Sequence, residues 1–104
     1  VALPTLIFDE IDTGVSGEIA HKVGNILMRL SENHQLIAIT HLPQIAAKGQ
    51  HHLFVYKSTD AASTSTNIKL LNKTERLNEI AKMLSGENPT KAAIQNAKEL
   101  LLQA

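Results

Sequence analysis

Asp9, Glu10 and Asp12 follow directly on the apolar run Leu6-Ile7-Phe8, and His41 follows directly on Leu36-Ile37-Ala38-Ile39-Thr40. A short β-prone run that stops at carboxylates reads as a buried strand delivering charge to the C-terminal edge of a sheet, where open α/β folds bind their ligands. A carboxylate buried without a partner shifts its pKa or recruits a cation, so Asp9 and Glu10 belong at that edge, with Mg²⁺ as their natural partner. Successive strand side chains point to opposite sides, so two adjacent acids divide the work: one faces the metal and the other reaches a water. Nucleotide hydrolysis uses that division, with a strand-end Asp helping to hold the Mg²⁺ that bridges phosphate oxygens and a second polar group orienting the attacking water. The plainer alternative is two acids capping a strand beside a turn.

Positioning these groups requires a strand, a helix and a second strand. Thr13-Gly14-Val15-Ser16-Gly17 reads as a turn, with Ser16 as N-cap. Ile19, Val23, Ile26, Leu27 and Leu30 then recur at helical spacing and predict an amphipathic helix over about 17–32. Residues 36–40 form the next strand, and this order implies a parallel, right-handed βαβ unit. Parallel strands end on the same edge, which brings His41 near Asp9 and Glu10. The plainer reading of His41 is a polar residue at a turn before Pro43, which starts a short helix to about 48.

Further along, 51–57 reads as a third strand, 58–65 as a small polar connector and 66–71 as a returning antiparallel strand. His51 and His52 are adjacent, and neighbouring strand side chains diverge, so they read as solvated or edge residues and not as a metal pair. Leu77, Ile80, Ala81 and Leu84 predict a helix over about 74–85 closed by Gly86. Leu84-Ser85-Gly86-Glu87 is not a phosphate loop, because a helix end presents carbonyls, whereas phosphate needs free N–H groups at a helix start. Asn88 and Pro89 are read as capping a last helix to about 103, with Ala93, Ile94, Ala97, Leu100 and Leu101 as its apolar stripe.

The chain has 104 residues, enough for one domain or part of one, which buries only about two thirds of its unfolded surface. It starts at Val with the critical strand a few residues in, so a piece excised from a longer protein is expected. Ten basic and ten acidic residues balance, which leaves no global field to attract nucleic acid or an anionic membrane. Cys is absent, which removes disulfides and thiolate zinc sites. No apolar run approaches the ~18 residues of a membrane span and no signal-peptide pattern is present, so a soluble, intracellular protein without membrane contact is expected.

Three linked segments carry a resemblance that covers essentially the whole chain: Leu6-Ile7-Phe8-Asp9-Glu10-Ile11-Asp12, Gly14-Val15-Ser16-Gly17 and Ile39-Thr40-His41-Leu42-Pro43-Gln44. Together they resemble the P-loop NTPase-like ATPase heads of the ABC and SMC superfamily. More narrowly they resemble the C-terminal lobe of such a head in the RecN family of bacterial DNA-repair proteins. The resemblance implies an α/β lobe with a parallel βαβ core, a β-hairpin and two C-terminal helices. It makes Asp9 the Walker B acid acting on Mg²⁺ through water, Glu10 the group that polarises the hydrolytic water, and His41 the switch histidine at the γ-phosphate of ATP. Asp12, Thr13, Gly14, Val15, Ser16 and Gly17 take the place of the D-loop, which in the family crosses between two heads; most ABC proteins carry Asp where this chain has Ser16.

No G-x-x-x-x-G-K-[ST] occurs in the sequence, and the family's signature loop and Q-loop are expected upstream. The resemblance therefore implies a lobe inactive alone, completed by the N-terminal lobe of the same protein and by a second head in a homodimer. In the family, ATP joins the heads and hydrolysis releases them, coupled to DNA handling in double-strand-break repair and recombination. Two rival readings differ in kind. A HAD-like phosphatase or receiver domain also gathers acids around Mg²⁺ at a strand end, although HAD proteins space the acids two apart. A dimerisation or docking module would need no chemistry at all.

Overall fold

The structure is a computed structural model that describes residues 5–9 and 17–103. Strands β1 (Thr5–Asp9) and β2 (Gln35–Ile39) pair in parallel, from Thr5 opposite Gln35 to Asp9 opposite Ile39. Helix α1 (Gly17–Leu30) connects them. One face of this sheet is covered: Phe8, Leu36 and Ala38 pack with Val23 and Leu42 around buried Ala20, Leu27 and Ile45. The other face is open, with Ile7, Ile37 and Ile39 at 67, 41 and 50 % exposure. Strands apolar on both sides, as these are, suit the middle of a larger sheet with a layer on each face.

The apolar stripe expected on α1 is only partly the buried one. Ala20, Gly24 and Leu27 are buried, whereas Ile19 and Ile26 stand largely exposed. The reason is the closeness of the next helix, α2 (Pro43–Ala46). A Cβ on Gly24 would meet Lys48 Cγ at 3.0 Å and the Gln44 carbonyl at 3.5 Å, so small residues define the contact face and the large ones flank it. The helix also ends earlier than its periodicity suggests, at Leu30, where Ser31 Oγ donates to the Met28 carbonyl.

Strands β3 (Leu53–Thr59) and β4 (Thr64–Leu70) form an antiparallel hairpin. They run further toward the tip than the small polar composition suggests, because Asp60 closes a tight turn by accepting the N–H groups of Ala62 and Ser63 at 2.9 and 2.8 Å. The cross-strand pairs Leu53–Leu70 and Val55–Ile68 are all exposed, a second open apolar face.

Helix α3 (Lys73–Ser85) starts at a reciprocal cap, with Glu75 N–H donating to Asn72 Oδ1 at 2.8 Å and Asn72 N–H donating to Glu75 Oε1 at 3.1 Å. It ends at Gly86, whose φ of 98° is a conformation that suits glycine. Helix α4 (Lys91–Leu102) is capped by Thr90, which accepts the Ala93 N–H at 3.0 Å; the cap expected at Asn88 and Pro89 falls too early in the chain.

Two apolar clusters result. Ile80, Ala81, Ala93, Ala97 and Leu100 pack with Ala47 in one, and Ile45 joins α1 and the sheet in the other, so the α2 segment is shared by both. Ile80 is fully buried. Ile80→Ala is expected to cost about 3 kcal/mol, read as a lower urea midpoint, because a close-packed interior relaxes only partly into the space left. Among the described residues no helix is long and apolar enough to cross a membrane.

Candidate functional site

Parallel register puts the end of β1 level with the end of β2, so Asp9 and the residues that follow Ile39 belong to the same sheet edge. Asp9 is exposed and pairs with Ile39. Beyond Ile39 the chain turns sharply: Thr40 Oγ1 accepts the N–H of Leu42 at 3.0 Å, Leu42 is extended at φ −96° and ψ 126°, and buried Pro43 opens α2. This corner leaves His41 exposed at the edge where Asp9 ends. Glu10, Asp12, Thr13, Gly14, Val15 and Ser16 lie outside the described residues, and Gly17 is the first residue of α1.

No group of three or more His, Cys, Asp or Glu that could hold a metal exists among the described residues. What the end of β1 offers there is one hard oxygen donor, Asp9. That suits Mg²⁺, which keeps several waters and is bound through one or two carboxylates plus substrate phosphates.

The far end of α2 is held by a residue that the sequence reading did not single out. Arg76, on α3, directs Nη2 at the carbonyls of Ala46 (3.0 Å), Ala47 (3.2 Å) and Gly49. Its partners lie 27 to 30 residues back in the chain, a separation at which no local pattern operates. The Thr40 corner was open to local reading, since a threonine two residues before an acceptable N–H is a familiar turn former.

His52 departs from its expected solvated or edge role. It is only partly exposed, and its Nδ1 is buried without a hydrogen-bond partner among the described residues. Burial is the main cause that holds its pKa below the usual histidine value, the nearby Arg76 guanidinium adds to the effect, and Glu79 opposes it. As pH falls, the unfolded chain therefore takes up the proton first. The neutral imidazole's contribution to stability is complete above about pH 6.5 and is lost as pH falls through the lowered folded value. A urea midpoint measured from neutral to mildly acidic pH is expected to fall in wild type and to fall less in His52→Asn.

No protein-family model matches the chain. Individual relatives do. It is 46 % identical to DNA repair protein RecN of Vibrio cholerae over 104 residues, all of this chain and 19 % of that protein. It is 49 % identical to RecN of Rickettsia conorii over 98 residues, 94 % of this chain and 18 % of that one. RecN of Deinococcus radiodurans is 45 % identical over 98 residues, with 94 and 17 % covered. Over essentially its whole length the chain is similar to one segment of RecN proteins. It spans less than a fifth of the length of these RecN relatives. A solved structure, described under the words "ATP-driven dimerization and DNA stimulated activation of SMC ATPases", aligns with a TM-score of 0.64 at 16 % identity, covering 83 % of this chain and 51 % of that one. That likeness is one of fold: the α/β arrangement of this chain, resembling a P-loop NTPase-like lobe, recurs in part of that solved structure.

Proposed function

We propose that this chain is the C-terminal lobe of an ATP-hydrolysing, SMC-like head in a RecN-type DNA-repair protein, cytoplasmic and associated with the nucleoid. The observation that carries the proposal is the parallel register of β1 and β2, which ends Asp9 and the His41 corner on one sheet edge. RecN relatives named for DNA repair support the biological setting.

In this reading Asp9 would hold Mg²⁺, and the bound ion would supply charge neutralisation for the phosphates of ATP. Glu10 polarises the attacking water, and His41 donates a hydrogen bond toward the γ-phosphate as negative charge spreads over its oxygens. The protein's contribution is position and electrostatics, as phosphoryl transfer requires. The N-terminal lobe of the same protein brings the phosphate cradle and a second head brings the signature loop, with Asp12, Thr13, Gly14, Val15, Ser16 and Gly17 running between heads. Hydrolysis then separates a dimer that ATP holds together on DNA.

The test is Mg²⁺ dependence in the full-length protein. Asp9→Asn is expected to raise the Mg²⁺ concentration for half-maximal ATP turnover about ten-fold or more, because the neutral amide is a poorer ligand for the hydrated ion. An unchanged Mg²⁺ profile removes Asp9 from the metal and leaves the docking-module reading. Labelled phosphate retained covalently on Asp9 would instead point to the phosphatase or receiver class.

A further inference from the structure

We propose that Arg76 is a positioning residue for His41, acting through α2; this rests on the reading of His41 as the γ-phosphate contact. Four residues cannot sustain a helix by themselves, and the last carbonyls of any helix lack intrahelical donors. Arg76 adds donors from outside: the two N–H groups of Nη2 are shared among the carbonyls of Ala46, Ala47 and Gly49, with charge-assisted strength. The opposite end of the segment continues directly from β2, which is paired to β1, and turns through the local Thr40–Leu42 hydrogen bond; the middle is pinned by Ile45 in one apolar cluster and Ala47 in the other. The 40–49 segment is thus a short strut fixed at both ends, with His41 at its outer tip.

Arg76 itself stands on a rigid base. It lies one residue after Glu75, which closes the cap with Asn72 and pairs with Lys69, and one turn before fully buried Ile80 and Ala81. Its guanidinium is partly desolvated, and its Nε is buried without a partner among the described residues, so the group is committed to the strut and not to solvent. Loosening the far end frees the strut to shift, and displacements of about 1 Å at a phosphoryl-transfer site cost up to about 100-fold in rate.

The experiment is a double-mutant cycle on ATP turnover in the full-length protein. Arg76→Met is expected to lower kcat about ten-fold with KM for ATP within about two-fold, since the other lobe carries most of the nucleotide binding, and Arg76→Lys is expected to recover part of the loss. In a His41→Ala background, Arg76→Met is expected to cause no further loss, because the group it positions is gone. A purely structural role lowers kcat by the same factor in both backgrounds. Such additivity, or a wild-type kcat in Arg76→Met, overturns the proposal. If Arg76→Met does not fold, Arg76→Lys takes its place in the cycle: a loss confined to the His41 background supports the proposal and an equal loss in both overturns it. Full activity in His41→Ala alone overturns the underlying assignment of His41, an outcome separate from additivity.

Discussion

Glu10→Gln in the full-length protein is expected to reduce ATP turnover about 100-fold or more, in line with removal of a positioned general base. Nucleotide binding and head dimerisation should survive and the dimers should last longer. Gln keeps the shape and hydrogen-bonding reach of Glu, so the geometry next to Asp9 is retained while the negative charge that polarises the water is lost. The expected signature is a collapse of kcat with ATP affinity retained, which marks an interaction used in the transition state and not in the ground state. If heads are released by hydrolysis, the same variant accumulates dimers in ATP and Mg²⁺ that size-exclusion chromatography resolves. An unchanged turnover rate removes Glu10 from its role and, because Glu10 adjoins Asp9 in the sequence, weakens the whole edge as a site of hydrolysis.

The parts of this chain that were legible in the sequence are those in which one signal answered one question. Leu6-Ile7-Phe8 running into Asp9, and Ile37-Ala38-Ile39 running into Thr40 and His41, each state a strand and its polar end together, and β1 and β2 lie where those runs predict. The face of α1 was less legible because periodicity ranks residues by apolarity, whereas helix contact here is decided by closeness. Gly24 and Ala20 win the interface because they let α2 approach, and bulky Ile19 and Ile26 are displaced to the flanks. Arg76 was invisible for a different reason: a half-buried arginine bridging carbonyls almost thirty residues away leaves no trace in local composition. His52 belongs to the same class, since the Arg76 and Glu79 charges that act on it stand on α3, more than twenty residues along the chain.

The chain produced on its own is expected to self-associate in a concentration-dependent way and to show no ATP turnover. The reason lies in the side of the β1–β2 sheet away from α1, where Ile7, Ile37 and Ile39 are open to water, and in the outer edges of a sheet that has two strands among the described residues. Fully burying one isoleucine is worth about 1.5–3 kcal/mol. Three from each copy therefore supply a driving force comparable with the roughly 4–15 kcal/mol that association costs, which gives a weak assembly that forms only as concentration rises. Light scattering over a concentration series should show the apparent mass climbing. The double substitution Ile7→Thr and Ile37→Thr, which keeps β-branching while making the face polar, should hold the mass at that of a monomer. In the full-length protein the same pair is expected to act in the opposite sense, lowering head stability, because there the face would be covered by the rest of the head. A constant monomer mass for the wild-type chain at every concentration would show that the open isoleucines do not drive association, and loss of the association in the Thr variants without any effect on the full-length head would separate this face from the lobe interface.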